Sequence, residues 1–338
     1  MQKYSGIDLH SNNNVLSVSD DADRVLYRRR LPNELSKVLE ALEPHRAELV
    51  GVVVESTYNW YWLVDGLQAA GYRVHLANTA AKKPYDGLKH SDDESEALQL
   101  ARLLRLGILR TGYIYPVEER GLRDLGRRRL QLVRHRTMHV LAVENVTARQ
   151  SGSRLRANEV KALTIDQVNE LGFEANVTRG LQANVAVLDT LSAEIGALER
   201  WLHERVHLRP EFVVLTTAPG IGRILATVIM LEIGSIERFA SVGNFASYAR
   251  CVDSVHLSNH KKKGQGNVRN GNKYLAWAFI EAANFARRYY PEARRFHERK
   301  KAKTNAIVAT KALAHKLARA CYHMLKTGEP FDMKRCFG

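Results

Sequence analysis

Residues 49–54 (LVGVVV) form a continuous apolar run. A strand exposed on one face would alternate, so a run without polar interruption marks a strand covered on both faces. Such a strand needs layers above and below it. Around it, residues 3–8, 14–19 and 24–29 read as short strands. Turn-formers at Ser11 to Asn13 and Asp20 to Asp23 separate them, which predicts an antiparallel meander. A helix is expected over 34–43, with Leu35, Val38, Leu39 and Leu42 on one face. Another is expected over 58–70, ending at Gly71, then a strand at 72–76 and helices near 78–85 and 92–106. Three strands, a helix, a strand, a helix, a strand and a helix predict an α/β domain with a mixed sheet over residues 1–110.

The next stretch, 117–206, reads as almost wholly helical. Leu181, Val185, Leu188, Leu191, Ile195, Leu198, Leu202 and Val206 recur at spacings of three and four, which makes a continuous apolar seam. That seam suits packing inside its own chain or a coiled coil with a second copy, and the spacing leaves both open. The polar break at 150–158 and Gly172 predict a helical hairpin. Residues 111–208 are therefore expected to be a helical coiled-coil and dimerisation region. Residues 209–338 are expected to form a third, mostly helical unit, with helices at 274–288 and 304–326. Within it, Pro219-Gly220-Ile221-Gly222 joins two apolar segments, 212–217 and 224–233. That turn fits a helix-hairpin-helix offering backbone N–H groups to a phosphate, or a simple tight turn between core helices. Residues 251–273 are polar and basic and predict an exposed loop.

Charge is unevenly placed. Residues 1–96 carry 11 basic and 15 acidic residues, whereas 97–338 carry 40 basic and 21 acidic. A mildly acidic domain joined to a basic body points to a polyanionic partner. The basic runs recur in separate segments, as phosphate-binding surfaces require. No run approaches the roughly 20 apolar residues needed to span a bilayer. The N-terminal MQKYSGIDLH has no secretory h-region. Cys251, Cys321 and Cys336 are too few and scattered for a disulfide framework or zinc site. A cytoplasmic protein with no membrane partner is expected.

Four acids stand at positions where chemistry is expected. Asp8 ends the first strand and Glu55 ends the buried one. Asp93 and Glu96, three apart at a helix start, share one face. Acids at adjoining strand ends, joined by a helical pair, can converge on Mg²⁺ (or Mn²⁺), which takes oxygen ligands and keeps waters for a substrate phosphate. Two such ions would stabilise both the attacking and the leaving oxygens of phosphoryl transfer. Asp92 and Glu94 are near alternatives. Tyr58, Trp60, Tyr61 and Trp62, close to Glu55, could stack on bases or pack in the core.

The strings GIDLH, VVVES, KHSDDESEALQLARLLRLGIL and YIYPVEERGLRDLGRRR closely resemble the DEDD transposases. These insertion-sequence recombinases include the Piv-type DNA invertases and bridge-RNA-guided recombinases. The strings APGIG, FASYAR, SNHKKKGQGNVRNGNKYLAWAFIEAA and RKKAKTNAIVATKALAHKLARACYHML resemble the same family's C-terminal transposase domain. The resemblance covers nearly the whole chain and is least specific in the helical middle. It implies a RuvC-like, RNase H fold for the N-terminal domain, with Asp8, Glu55, Asp93 and Glu96 as the four acids. At the last of these the family normally has Asp. It further implies a serine nucleophile, best matched by Ser258, with Ser254 the runner-up. Relatives often carry two serines here, and this chain has Leu257 at the first.

Lys261, Lys262, Lys263 and Arg269 around that serine could hold a phosphate and offset transition-state charge. Arg294, Arg295, Arg299, Lys300, Lys301 and Lys303 read as a phosphate-contacting stripe or as a solvated helix face. The resemblance implies a site-specific recombinase of a mobile element. It would act on target and donor DNA through a covalent phosphoserine. Carboxylates and serine would meet in a composite site, subunits would assemble as dimers and a tetramer, and a bridge RNA would guide many such enzymes. Two other readings remain: a metal-dependent, structure-specific nuclease with an idle Ser258, and a non-catalytic nucleic-acid-binding protein.

Overall fold

The computed structural model describes residues 1–78, 93–253, 256–258, 261–264 and 270–338. The chain divides into two compact units, Met1–Val117 and Glu118–Gly338.

The first unit holds strands β1 (Lys3–Leu9), β2 (Asn13–Asp20), β3 (Val25–Pro32), β4 (Leu49–Glu55) and β5 (Val74–Ala77), and helices α1 (Leu35–Leu42), α2 (Tyr61–Ala69) and α3 (Asp93–Arg105). The expected elements are present within a few residues of their predicted ends. The helix expected near 78–85 lies outside the described residues. Strand order is β3-β2-β1-β4-β5. β1 runs antiparallel to β2 and parallel to β4, and β4 runs parallel to β5. β3 is an edge strand, and Arg28, Arg29 and Arg30 in its exposed run charge that edge against further pairing.

Side-chain alternation sorts the sheet into two faces. Ile7, Leu9, Leu16, Val18, Val52 and Val54 form one buried cluster with α1 and α2 through Val38, Leu42, Leu63 and Leu67. Gly6, Asp8, Val53 and Glu55 alternate with them and point to the other face, where Leu100 of α3 packs on Val53. Gly6 explains how close α3 comes. A Cβ at Gly6 would run into the backbone of Ala97 and Ala101. Small residues on both sides let the helix axis settle onto β1 and β2. That contact is what carries the start of α3 over the end of β1.

The second unit is nearly all helical: α4 (Val117–Ser151), α5 (Ala157–Ala162), α6 (Ile165–Glu170), α7 (Ala175–Val206), α8 (Pro210–Thr216), α9 (Arg223–Ile233), α10 (Val242–Tyr248), α11 (Lys273–Tyr289), α12 (Pro291–Lys303), α13 (Ala306–Thr327) and α14 (Met333–Phe337). Between α10 and α11 lie two short antiparallel strands, β6 (His256–Ser258) and β7 (Lys261–Gly264). Part of the segment read as loop is therefore a hairpin. α4 and α7 run antiparallel, since Arg129 bonds Glu199 while His139 bonds Asn184 at 2.9 Å. Leu181, Val185 and Leu188 of the seam are buried with Val140, Val143, Val160 and Val168. Leu202 and Val206 join the larger core of α8–α11 and α13. The seam is thus covered within the chain along much of its length. Gly220 sits at φ +79°, and a Cβ there would strike the backbone of Ala282 on α11. The Pro219–Gly222 turn is a tight, core-packed corner. Among the described residues no helix is long and apolar enough to cross a membrane.

Gly6→Val should force α3 off β1. We expect a loss of about 1–3 kcal/mol in stability from overpacking, read by denaturant unfolding.

Candidate active site

The parallel register sets Ile7 beside Val54, so Asp8 and Glu55 leave neighbouring strands at the same level. Asp8 is 2% exposed at the end of β1. α3, seated on Gly6, brings Glu96 to the same place. Carboxylate oxygens of Asp8, Glu55 and Glu96 lie within 4.8 Å of one another. A second group shares Asp8: ligand atoms of Asp8, His10 and Asp93 also lie within 4.8 Å. All four acids singled out in the sequence therefore reach one end of the sheet, with Asp8 common to both groups. Asp92 lies outside the described residues, as does the side chain of Glu94.

His10 and Arg30 are additions that the sequence reading missed. His10 Nε2 stands 3.4 Å from Asp8 Oδ2 and 3.2 Å from Asp93 Oδ2. That nitrogen is buried and makes no hydrogen bond. Its main-chain carbonyl is fixed by Asn33 Nδ2 at 3.0 Å and Asn59 Nδ2 at 2.8 Å. Arg30 Nη2 donates to Asp93 Oδ2 at 2.6 Å. Arg30, helped by His10, holds the Asp93 carboxyl below the usual carboxylate range against the opposing effect of desolvation. An orphaned buried nitrogen facing carboxylates from two elements is a donor set that a divalent cation would complete. Oxygen donors from Asp8, Glu55 and Glu96 fit Mg²⁺ or Mn²⁺, and an imidazole nitrogen is tolerated better by Mn²⁺. The signal for His10 was its place two residues past Asp8. Arg30 comes from 63 residues before Asp93, and no local pattern could link them.

Of the nearby aromatics, Trp60 is buried, edge-on to Tyr61 at 4.6 Å. Tyr58 stands 82% exposed.

In the second unit, Ser258 ends β6 and its backbone pairs with Lys261 across the hairpin. Lys261 and Lys263 are exposed. Ser254 and Arg269 lie outside the described residues, as do the side chains of Ser258 and Lys262. The base of this segment is clamped. Asn272 N donates to Tyr248 O at 2.6 Å. Arg250, held at φ +55°, donates from Nε and Nη2 to Gly271 O at 3.1 and 2.8 Å. Gly271 needs its φ of +87°, and a Cβ there would meet Tyr248 O. Asn272 Oδ1 caps α11 by accepting from Tyr274 N and Leu275 N, while its Nδ2 donates to Glu232 Oε2 at 2.7 Å. Glu232, 2% exposed in the apolar helix α9, also takes a bidentate pair from Arg127 of α4 at 2.6 and 2.8 Å. Arg127 lies over the Tyr274 ring at 4.6 Å. Burial opposes the Arg127 charge, but the Glu232 carboxylate overrides it and keeps the guanidinium protonated.

The second basic set lies on α12. Arg294 is engaged with the carbonyls of Arg287 and Arg288. Arg295 pairs with Glu292 and Lys301 with Glu298. Arg299, Lys300 and Lys303 are exposed and have no ion pair among the described residues.

Removing one partner of the buried Arg127–Glu232–Asn272 network leaves uncompensated charge. Glu232→Ala should cost about 3–5 kcal/mol, measured by chemical denaturation. Asn272→Ala should cost about 1 kcal/mol or more through the lost cap.

Two family models match the chain. One, of the DEDD transposases of insertion element IS110 and described as transposase, covers residues 5–146. The other, described as the transposase IS116/IS110/IS902 family, covers residues 213–298. Among curated relatives, an uncharacterised 43.6 kDa protein of insertion element IS110 from Streptomyces coelicolor is 26% identical over 142 residues, 41% of this chain and 34% of that protein. A probable family 20 transposase from Pseudomonas aeruginosa is 26% identical over 66% of this chain and 67% of that protein. The pilin gene-inverting protein of Moraxella bovis is 29% identical over 42% of this chain and 47% of that protein. The match thus spans about a third of the first relative's length and about half of the third's. With matches in both units, the chain belongs to the IS116/IS110/IS902 family of transposases.

Proposed function

We propose that this chain is a site-specific DNA recombinase that cuts and rejoins strands through a covalent phosphoserine. The observation that carries the reading is the pair of donor groups sharing Asp8 at the end of β1. The strand order 3-2-1-4-5, with the second strand antiparallel, supports a RuvC-like, RNase H assignment of the first unit. The family membership and relatives named for transposition and gene inversion support DNA as substrate.

Asp8, Glu55 and Glu96 on one side, and Asp8, His10 and Asp93 on the other, would hold Mg²⁺ or Mn²⁺. The bound ion would supply charge stabilisation at the scissile phosphate. Ser258 Oγ attacks phosphorus, so the Oγ–P bond forms and the P–O3′ bond breaks. The serine proton passes to solvent, and the departing oxygen takes one up to become a 3′-hydroxyl. Lys261, Lys262, Lys263 and Arg269 neutralise the phosphate during attack. Rejoining reverses the step with the 3′-hydroxyl of another duplex. The domain scheme belongs to the proposal: a metal-binding domain over 1–110, a helical dimerisation region over 111–208 and a serine-bearing domain over 209–338. So do dimers and a tetramer on DNA. A guide RNA is part of it as well, since exposed cations spread over β7 and α12 suit backbone contact better than a base-reading helix.

A second reading is favoured by one fact. The carboxylate groups form wholly within residues 1–117. A metal-dependent nuclease would need nothing more. Ser258→Ala separates the two: a recombinase loses its denaturation-resistant DNA adduct, whereas a nuclease still cuts. Asp8→Asn should abolish strand cleavage under either reading. Glu96→Asp should retain cleavage and Glu96→Ala lose it by about a hundredfold or more. Full cleavage by Asp8→Asn would contradict both.

A further inference from the structure

We propose that the groove where α11 meets α12 binds an unpaired nucleotide of a DNA strand. The buried face of α11 is Leu275, Ala278, Phe279, Ala282, Ala283 and Ala286. Phe285 and Tyr289 lie off that face, 44% and 62% exposed. One turn apart, their rings stack with centroids 6.4 Å apart and planes 13° apart. They add nothing to the core, yet they make one flat apolar ledge in a basic surface. Arg288 lies 5.4 Å from the Tyr289 ring centroid.

Beside the ledge is a cavity of about 550 Å³, within the range of small-ligand sites. Phe285 and Asn284 line it together with Arg287, Arg288 and Arg294. The roles of these arginines differ. Arg294 reaches back from α12 to donate to Arg287 O at 3.2 Å and Arg288 O at 2.6 Å. It thereby satisfies carbonyls at the negative end of α11 and holds the groove wall in place without a ligand. Arg287 and Arg288 have no ion pair among the described residues and are exposed. Two acids also line it: Glu281, which is half-buried, and Glu298, already engaged by His297 Nδ1 at 3.2 Å and Lys301 at 3.4 Å.

This combination selects its occupant. Phosphates of an intact duplex ask only for cations, and paired bases hide their faces in the stack. A base out of the stack exposes a π-face that an aromatic ledge can cover. Asn284 offers an amide to the base edge, and Arg287 and Arg288 offer charge to the flanking phosphates. The choice of DNA rests on the recombinase reading, in which strands part before they are rejoined.

The test uses the full chain without divalent metal. The protein is titrated into a short DNA strand carrying 2-aminopurine, and into the same strand fully paired. Phe285→Ala and Tyr289→Ala should each weaken single-strand binding about tenfold and abolish quenching of the probe. Duplex binding should change less than about twofold, and Tyr289→Phe should behave as wild type. Equal losses on both DNAs, or none, would overturn the proposal. So would tighter binding of the matching RNA strand, or a fall in molar mass marking the ledge as a contact between copies. Because no strand is cut, failure here is separable from failure of the Ser258 adduct assay.

Discussion

The candidate site depends on one close approach, that of α3 to β1 at Gly6. Without it Glu96 and Asp93 would stand off from Asp8. With it, carboxylates from two strands and a helix share a small volume, where like charges repel. Something cationic must offset that repulsion. In the first unit Arg30 does so for Asp93. Arg30 comes from an edge strand whose other arginines face solvent, so the same basic run protects the sheet edge and reaches the site. A divalent cation would compete with Arg30 for Asp93, which couples metal binding to the edge of the sheet.

The second unit solves a different problem, that of presenting a polar, basic segment from an apolar helical core. A long excursion is entropically costly unless its ends are tied. Tyr248, Arg250, Gly271 and Asn272 tie them, and Glu232 anchors the knot to α9 and α4. The two positive-φ residues at the neck, Arg250 and Gly271, show that the backbone is held in an uncommon shape by its bonds. The long helix α4 thus feels the base of the serine segment through a buried charge pair.

What could be read in advance follows from range. The mixed sheet was implicit in LVGVVV and the meander, because apolar runs and turn residues act locally. The acids were legible because each ends an apolar strand or opens an amphipathic helix. His10 and Arg30 were not, since their roles come from contacts across the sheet. The strands at 256–258 and 261–264 are not legible in the sequence, because KKKG has no apolar alternation. α12 was read only as a basic stripe, since it buries little beyond Ala293 and His297. Glu232 was the clearest missed signal, a lone acid inside IMLEIG. The seam of α7 was identified correctly as apolar, but its spacing could not say that α4 of the same chain covers it.

The central claim is that Asp8 is the shared ligand of a metal centre. Crystals grown with Mn²⁺, with diffraction recorded at the manganese edge, test it most directly. Anomalous density within ligand distance of Asp8, with Glu55 and Glu96 on one side or His10 and Asp93 on the other, is the predicted result. Fully occupied manganese elsewhere, with none at Asp8, would contradict the account.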